Sequence, residues 1–157
     1  DAKGGQLQWK NVFTLSRGNY DLVSVIDENV AGNQPYTAKG QFIDLFDPQL
    51  PILSSKTVRP GEQAFLYNIN RIKNKKQPQV LAGAARVYDE KRTQKSYSFV
   101  AKSPKNTTNV MRVLLPKQPK LVEISGEKVR HTWDVSSKTL LVQFENDPDG
   151  VQVSLKW

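Results

Sequence analysis

The chain has 157 residues, with 23 Lys/Arg against 15 Asp/Glu and a formal net charge of +8. It contains no cysteine, which excludes disulfides and thiolate metal sites. No stretch approaches the roughly 20 consecutive apolar residues that a membrane-spanning helix needs. The length suits one ordinary domain that buries about two thirds of its unfolded surface.

Residues 1–6 begin with Asp-Ala-Lys-Gly-Gly, a composition typical of a linker, and we assign them to a linker or tail. Because the chain does not start with methionine, we expect either a removed leader or a piece of a longer protein. Residues 7–157 are assigned to one domain. A boundary near residues 91–95 is the alternative, but the C-terminal piece would then be small for independent stability.

Short apolar runs, many with a period of two, recur along the chain and are separated by Gly, Pro, Asn and Asp clusters. This pattern predicts half-buried strands joined by turns. The predicted strands are residues 7–10, 20–26, 41–46, 52–58, 63–69, 79–88, 96–101, 109–115, 120–125, 128–133, 138–145 and 151–157. No window shows a helical stripe, so we expect no helix longer than two turns.

The last four runs predict an antiparallel four-strand meander at the C-terminus. The final run alternates strictly, with Val151, Val153, Leu155 and Trp157 on one side. About 10–12 short strands in one sheet would leave long open edges. Two packed sheets that share a core are therefore more economical. The sequence predicts an all-β fold, a two-sheet antiparallel β-sandwich.

The positive charge is concentrated in the second half of the chain. Residues 1–70 carry 6 basic against 7 acidic side chains, whereas residues 71–157 carry 17 against 8. Within that half, residues 71–120 carry 13 basic and 2 acidic side chains. Such a surface attracts polyanions. The alternative is that the dispersed lysines only keep the protein soluble and protect the sheet edges.

Four carboxylates are candidates for paired acid and base chemistry: Asp27, Glu28, Asp44 and Asp47. Three of them follow apolar runs at positions where Asp and Glu commonly start turns. Asp44 differs, because alternation places it on the same face as Phe42 and Phe46, so its carboxylate needs a buried arginine or backbone amides as partners. We expect turn and structural roles and no catalytic residue.

Two further features resemble metal sites without completing one. The loop at residues 146–150 has carboxylates at alternate positions, as calcium prefers, but it lacks the later bidentate glutamate and already has a full turn signal. His131 is the only histidine and shares a face with Val129 and Trp133, so we expect a packed strand residue. Neither a metal nor another cofactor is expected.

Aromatic side chains are candidate stacking platforms for a sugar. Tyr36, in the loop Gly-Asn-Gln-Pro-Tyr, is predicted to face solvent and to contact a ligand. Trp133 and Trp157 lie among aliphatic residues, which favours core packing, although Trp133 is kept as a ligand candidate. Trp9 is a candidate for packing against a neighbouring domain.

The segment at residues 71–76 is the densest basic run. Arg71, Lys73, Lys75 and Lys76 are candidate contacts for a polyanion, with a solvated hairpin tip as the alternative. Nucleic-acid readers add interleaved aromatics or a recognition helix, and the segment has neither. Nucleic acid is therefore not an expected partner.

Several segments carry a resemblance to a known class of proteins. These are residues 17–23, 42–48, 121–129, 132–144 and 149–155, including Thr-Trp-Asp-Val-Ser-Ser-Lys-Thr-Leu-Leu-Val-Gln-Phe. Together they resemble C-terminal accessory β-sandwich domains of large secreted bacterial glycoside hydrolases. The resemblance implies a non-catalytic module beside a catalytic domain, in a secreted, periplasmic or cell-surface protein, with a polysaccharide as a candidate partner.

The expected function is therefore that of a non-catalytic accessory or structural domain of a carbohydrate-active bacterial protein. The alternative is a free-standing module that binds an acidic polysaccharide or another polyanion through residues 71–120. An enzyme that uses the four carboxylates is the third hypothesis. Salt-sensitive binding to a polyanion would separate the second hypothesis from the first.

Overall fold

The computed structural model describes residues 11–27 and 34–157. These residues form thirteen strands and one 3-10 turn at Ile69–Arg71. The strands are β1 (Val12–Arg17), β2 (Tyr20–Val25), β3 (Tyr36–Asp44), β4 (Ile52–Val58), β5 (Gln63–Asn68), β6 (Gln79–Gly83), β7 (Arg86–Arg92), β8 (Ser96–Lys102), β9 (Thr108–Leu114), β10 (Leu121–Ile124), β11 (Arg130–Asp134), β12 (Thr139–Glu145) and β13 (Val151–Lys156). Within the described residues, no helix has the length and apolar character needed to cross a membrane.

The strands pair into three antiparallel sheets. The N-terminal sheet has the order β1-β2-β5-β3-β4. The middle sheet has the order β11-β12-β9-β6, and the C-terminal sheet has the order β10-β13-β8-β7. The predicted all-β class and its β-sandwich character are confirmed, but with three sheets in the described residues instead of two.

The main core lies between the middle and C-terminal sheets. Inward side chains of β13, Val151, Val153 and Leu155, meet Phe99 of β8 and Phe144 of β12, and all five are at most 1% exposed. Burying a side chain of this size stabilises the fold by about 1.5–3 kcal/mol. The period of two along β13 thus reports a strand with one face on the core and one towards solvent.

The middle sheet is covered on both faces. In β9, Met111 and Val113 point into the main core, whereas Leu114 packs on the opposite face against Ile43 and Tyr67 of the N-terminal sheet. A strand between two layers has no solvent face, so its sequence is apolar at consecutive positions. The central position of β9 thus explains the consecutive apolar residues at 113–115.

The N-terminal sheet encloses a core of its own. Val23, Phe42, Val58 and Leu66 come from four of its strands and form one buried cluster. Strands β2 and β4 do not pair with each other, yet they lie close together, so the sheet curves around this cluster. The register of β3 shifts between Lys39 and Phe42, a bulge that increases local bending.

The predicted C-terminal meander is wrong in its pairing. β11 pairs with β12 in the middle sheet, whereas β10 pairs with β13 in the C-terminal sheet. The predicted strand at residues 79–88 is likewise divided after Gly83, because β6 joins the middle sheet and β7 the C-terminal sheet. Alternation in the sequence indicates which residues face a core. Because the middle and C-terminal sheets face the same core, alternation does not indicate to which of the two sheets a strand belongs.

Other strand predictions differ less. β1 was not predicted, because its side chains are mostly exposed and give no alternation of burial. The alternative domain boundary near residues 91–95 falls on the β7–β8 hairpin. The predicted strand at residues 7–10 and the tail at residues 1–6 lie outside the described residues.

Candidate functional site

Asp44 has the structural role that its position predicted. It is 8% exposed, and its carboxylate accepts hydrogen bonds from the Phe46 N–H at 3.1 Å and from Lys56 Nζ at 3.3 Å. The partners are one backbone amide and a lysine ammonium in place of an arginine. A carboxylate satisfied in this way stabilises the end of β3.

Among the described residues, neither Asp27 nor Asp47 shares a hydrogen bond with Asp44. Asp47 accepts a hydrogen bond from the Gln49 N–H at 2.9 Å, as expected of a residue that starts a turn. Asp27 is exposed and lies in the connection after β2. Its neighbour is Gly61 of the β4–β5 connection, where the Cβ of an alanine would lie 3.5 Å from the Asp27 Cβ. Glu28 lies outside the described residues.

The acidic loop at residues 146–150 has the contacts of a turn. Asp147 Oδ1 accepts from the Asp149 N–H at 2.9 Å, and the Asp147 carbonyl accepts from the Gly150 N–H at 3.0 Å. Gly150 has a φ of +108°, which few residues other than glycine adopt. No group of three potential metal-binding side chains occurs among residues 11–27 and 34–157.

The predicted environments of His131 and Tyr36 are wrong. His131 is exposed, because β11 is the edge strand of the middle sheet. Tyr36 does not lie in a solvent-facing loop: it begins β3, is half-buried and packs against the core of the N-terminal sheet. Trp133 is half-buried against the main core, and Trp9 lies outside the described residues.

The basic segment at residues 71–76 divides into two parts. The Arg71 guanidinium binds both carboxylate oxygens of Asp21, at 2.6 and 3.1 Å, so its charge already has a partner. Lys73 is exposed. Lys75 and Lys76 instead line a large cleft at one end of the molecule. The structure thus brings two of the six predicted ligand residues into a common site.

This cleft, called the lysine cleft below, has a volume of about 1120 Å³. It lies where the connections β5–β6, β7–β8, β9–β10 and β11–β12 meet the end of β13. Within the part of the chain that the structure describes, six lining side chains are lysines, none is acidic, and one is aromatic. The charged and aromatic lining residues are Lys75, Lys76, Lys95, Lys117, Lys120, Lys138 and Trp157.

Local turns determine where these lysines project. Asn74 Oδ1 accepts a hydrogen bond from the Lys76 N–H at 3.1 Å, which fixes the turn that carries Lys75 and Lys76. In the β7–β8 hairpin, Thr93 Oγ1 accepts from the Lys95 N–H at 3.2 Å. Asn and Thr make such bonds readily because their side-chain oxygens reach the backbone two residues on.

The β11–β12 turn, which carries Ser136 and Lys138, is held by a partly buried polar network. Asp134 Oδ2 accepts hydrogen bonds from Ser136 Oγ and from the Ser137 N–H, at 2.8 and 3.0 Å. Ser137 Oγ is 2.7 Å from Thr139 Oγ1, which in turn accepts from Arg112 Nη1 at 3.3 Å. These bonds place one wall of the cleft relative to the middle sheet.

The two charged side chains of this network, Asp134 and Arg112, each favour the charged form of the other. Burial alone would raise the pKa of the Asp134 carboxyl, but hydrogen bonds from Ser137 and Ser136 and the charge of Arg112 outweigh it and lower that pKa. Burial lowers the pKa of Arg112, and Asp134 opposes this. The network therefore has a structural role: it joins two opposite side-chain charges through hydroxyl groups beneath the cleft.

The lysine charges of the cleft have no protein counter-ion in the part of the chain that the structure describes. None of the four salt bridges found there involves a lining lysine. Six like charges around one concavity produce a positive potential that low-dielectric walls concentrate. An anionic ligand would relieve this mutual repulsion.

Sequence reasoning did not identify Lys95, Lys117, Lys120, Lys138 and Trp157 as members of one site. They lie on four separate segments, and only the sheet topology brings those segments to the same end. The one available signal was the repeated placement of lysine in predicted turns of the basic half. No family model, curated protein or solved structure matches this chain.

Proposed function

We propose that this chain is a non-catalytic β-sandwich module of a carbohydrate-active bacterial protein and that its lysine cleft binds a polyanion. The observation that carries the binding proposal is the cleft lining, in which the described residues supply six lysines and no carboxylate. A volume of about 1120 Å³ accommodates several units of a chain molecule, since pockets for small ligands typically have about 300–1,000 Å³. The setting beside a catalytic domain of a secreted or envelope protein is part of the same proposal and draws support from the sequence resemblance.

The proposal predicts a strong dependence on ionic strength. Each ion pair releases condensed counterions from a polyanion, which lowers the logarithm of the binding constant by roughly 0.7 per decade of salt. Contacts from all six lysines would give a slope of about −4 by this reasoning. Titration of labelled heparin between about 50 and 200 mM salt measures this slope.

A variant that removes charge from the cleft tests its location. Replacing Lys95, Lys120 and Lys138 with glutamine keeps the side chains polar and of similar length. At about 0.5–1 kcal/mol per contact, we expect heparin binding to weaken by about 10- to 100-fold. The salt slope should also become shallower.

The control variant removes the same charge elsewhere. Lys39, Lys102 and Lys105 are exposed and lie outside the cleft lining, and their replacement with glutamine should change affinity much less. Equal weakening by both variants would indicate a diffuse effect of net charge. No binding by the unsubstituted protein at low salt would contradict the proposal.

A structural accessory role is the second candidate, and an exposed apolar surface favours it. Phe13, Leu15, Tyr20 and Phe46 are 54%, 43%, 43% and 58% exposed. Tyr20 stacks on Phe65 with 5.7 Å between ring centroids, and Phe46 lies 6.1 Å from the same ring. Large exposed apolar patches are uncommon on free-standing monomers and often mark contact surfaces.

Hydrogen exchange tests this second candidate. In a longer protein that includes a neighbouring domain, the amides of β1 and β2 should exchange more slowly than in the isolated chain. The amides of β12, which is covered in both cases, serve as the internal control. Identical exchange of β1 and β2 in both proteins would argue against a contact at this surface.

A further inference from the structure

One aromatic side chain, Trp157, lines the lysine cleft. The backbone N–H of Trp157 donates to the Lys95 carbonyl at 2.9 Å, and the preceding Lys156 carbonyl accepts from the Lys120 backbone N–H at 2.7 Å. These bonds extend the pairing of β13 with β8 on one side and with β10 on the other. The backbone therefore holds Trp157 between the segments that carry Lys95 and Lys120.

The spacing of these three residues follows from sheet geometry. Neighbouring strands lie about 4.8 Å apart, so the backbones at Lys95 and Lys120 are separated by roughly 10 Å with Trp157 between them. A flat ring stacked on the indole would therefore have an ammonium group within reach on either side. A linear inorganic polyanion would pair with the lysines but would have no ring to stack on the indole.

Several of the remaining lining residues supply neutral hydrogen-bonding groups. Thr93, Gln94, Gln118 and Ser136 all line the cleft. Amides and hydroxyls both donate and accept, so they match the hydroxyl groups of a sugar between its charged substituents. Trp157 is half-buried and packs partly on the main core, which fixes its ring as a platform.

We propose that the occupant of the lysine cleft is an acidic polysaccharide. One sugar ring stacks on the Trp157 indole, and its carboxylate or sulfate groups pair with Lys95 and Lys120. An aromatic face is apolar and suits the C–H surface of a sugar. This inference rests on the proposed polyanion binding and identifies the ligand class of that same site.

The lining favours a sugar chain over a nucleic acid. Single-stranded nucleic acids are commonly bound by successive aromatic platforms, often with arginine stacking on bases. Among residues 11–27 and 34–157, the lining of the lysine cleft has one aromatic residue and no arginine. Lysine provides a point charge on a flexible stem, which pairs with anionic groups of varied orientation.

The test compares two tryptophans that pack on the same core. Trp157→Leu removes the proposed platform, and Trp133→Leu is the matched control, since Trp133 is also half-buried but does not line the cleft. Calorimetric titration uses a heparin oligosaccharide, a polygalacturonate oligosaccharide, a neutral dextran oligosaccharide and single-stranded DNA of matched charge. Circular dichroism verifies that each variant is folded.

We expect Trp157→Leu to weaken binding of an acidic oligosaccharide by about tenfold, the loss of one aromatic contact. Trp133→Leu should leave this affinity nearly unchanged, and dextran should not bind. Binding of heparin alone would identify sulfate as the recognised group. Binding of polygalacturonate alone would identify carboxylate, and binding of both would identify their shared negative charge.

Two results separate failure of this inference from failure of the proposed function. If the protein binds an acidic oligosaccharide equally well with and without Trp157, or binds the DNA more tightly, the polysaccharide inference is wrong and polyanion binding stands. If none of the charged probes binds, polyanion binding itself is wrong.

A second measurement applies if Trp157→Leu does not fold. The chain has three tryptophans, so replacing Trp9 and Trp133 with phenylalanine leaves Trp157 as the only indole. A change in its fluorescence on addition of acidic oligosaccharide supports stacking. An unchanged spectrum at saturating ligand overturns it.

Discussion

Arg112 is the buried cation that joins the middle sheet to the N-terminal sheet, so its replacement tests how the layers are held together. It is 5% exposed and donates to the Leu50 carbonyl from Nε at 3.2 Å and from Nη2 at 2.6 Å. Its third bond goes to Thr139, which belongs to the network beneath the lysine cleft. Arg112→Met keeps an unbranched chain in place and removes all three hydrogen bonds.

The expected loss of stability follows from these contacts. Leaving the buried Leu50 carbonyl without its donor costs about 1–3 kcal/mol. Truncating a buried hydrogen-bonded charge costs about 2–5 kcal/mol at comparable sites, and the regained desolvation energy of the guanidinium offsets part of this. We expect a net loss of about 2–3 kcal/mol, which lowers the Tm by roughly 4–12 °C in a chain of this length.

Urea unfolding followed by tryptophan fluorescence and circular dichroism measures this loss. Coincident transitions by both signals would justify a two-state free energy. Arg112→Lys is the matched control: it retains a positive charge but not the two-pronged contact, so its stability should fall between those of the other two proteins. A methionine variant as stable as the original protein would show that desolvation cancels the hydrogen bonds, and the reasoning would be refuted.

Three further predictions concern single positions. Asp44→Ala should lower the free energy of unfolding by about 1–2 kcal/mol through loss of its buried hydrogen bonds, and an unchanged melting curve would contradict this. Gly150→Ala should cost about 2 kcal/mol or more, because φ is +108° and the new Cβ would lie 2.6 Å from Val100 Cγ1. Gly18→Ala, with φ +54° and no atom within 4 Å, should cost only about 1 kcal/mol, and equal Tm losses would refute the steric argument. Because the folded-state pKa of Asp134 is lowered, its contribution to stability is fully present above the ordinary value of 3.8 and disappears as the pH falls through the lowered value. The stability difference between the original protein and Asp134→Asn, measured by urea unfolding, should therefore shrink below pH 3.8, and a constant difference would contradict this.

The strands were largely predictable because burial on one face leaves a period of two in the sequence. β13 and β4 coincide closely with their predicted ranges. Strand partners were not predictable in the same way, since β12 and β13 both alternate with inward residues buried in the main core yet belong to different sheets. The third layer did leave a signal, because β9 has apolar side chains on both faces, as strands covered by two layers commonly do.

The candidate site was predictable only in part. Asp44 needed hydrogen-bond partners on physical grounds, and the structure supplies the Phe46 amide and the Lys56 ammonium. Lys75 and Lys76 were identified from local charge density. Lys138 lies far from them along the chain, and its place in the same cleft follows from loop positions that depend on the pairing of three sheets.

The location of polyanion binding is the central claim, and a two-dimensional 1H–15N NMR titration with an acidic oligosaccharide tests it most directly. We expect the largest shift changes at the backbone amides of Lys95, Lys120 and Lys138 and at the Trp157 indole. The exposed lysines Lys39 and Lys105, which lie outside the cleft lining, should change little. Changes spread evenly over the basic surface, or confined to residues outside the cleft, would contradict the claim.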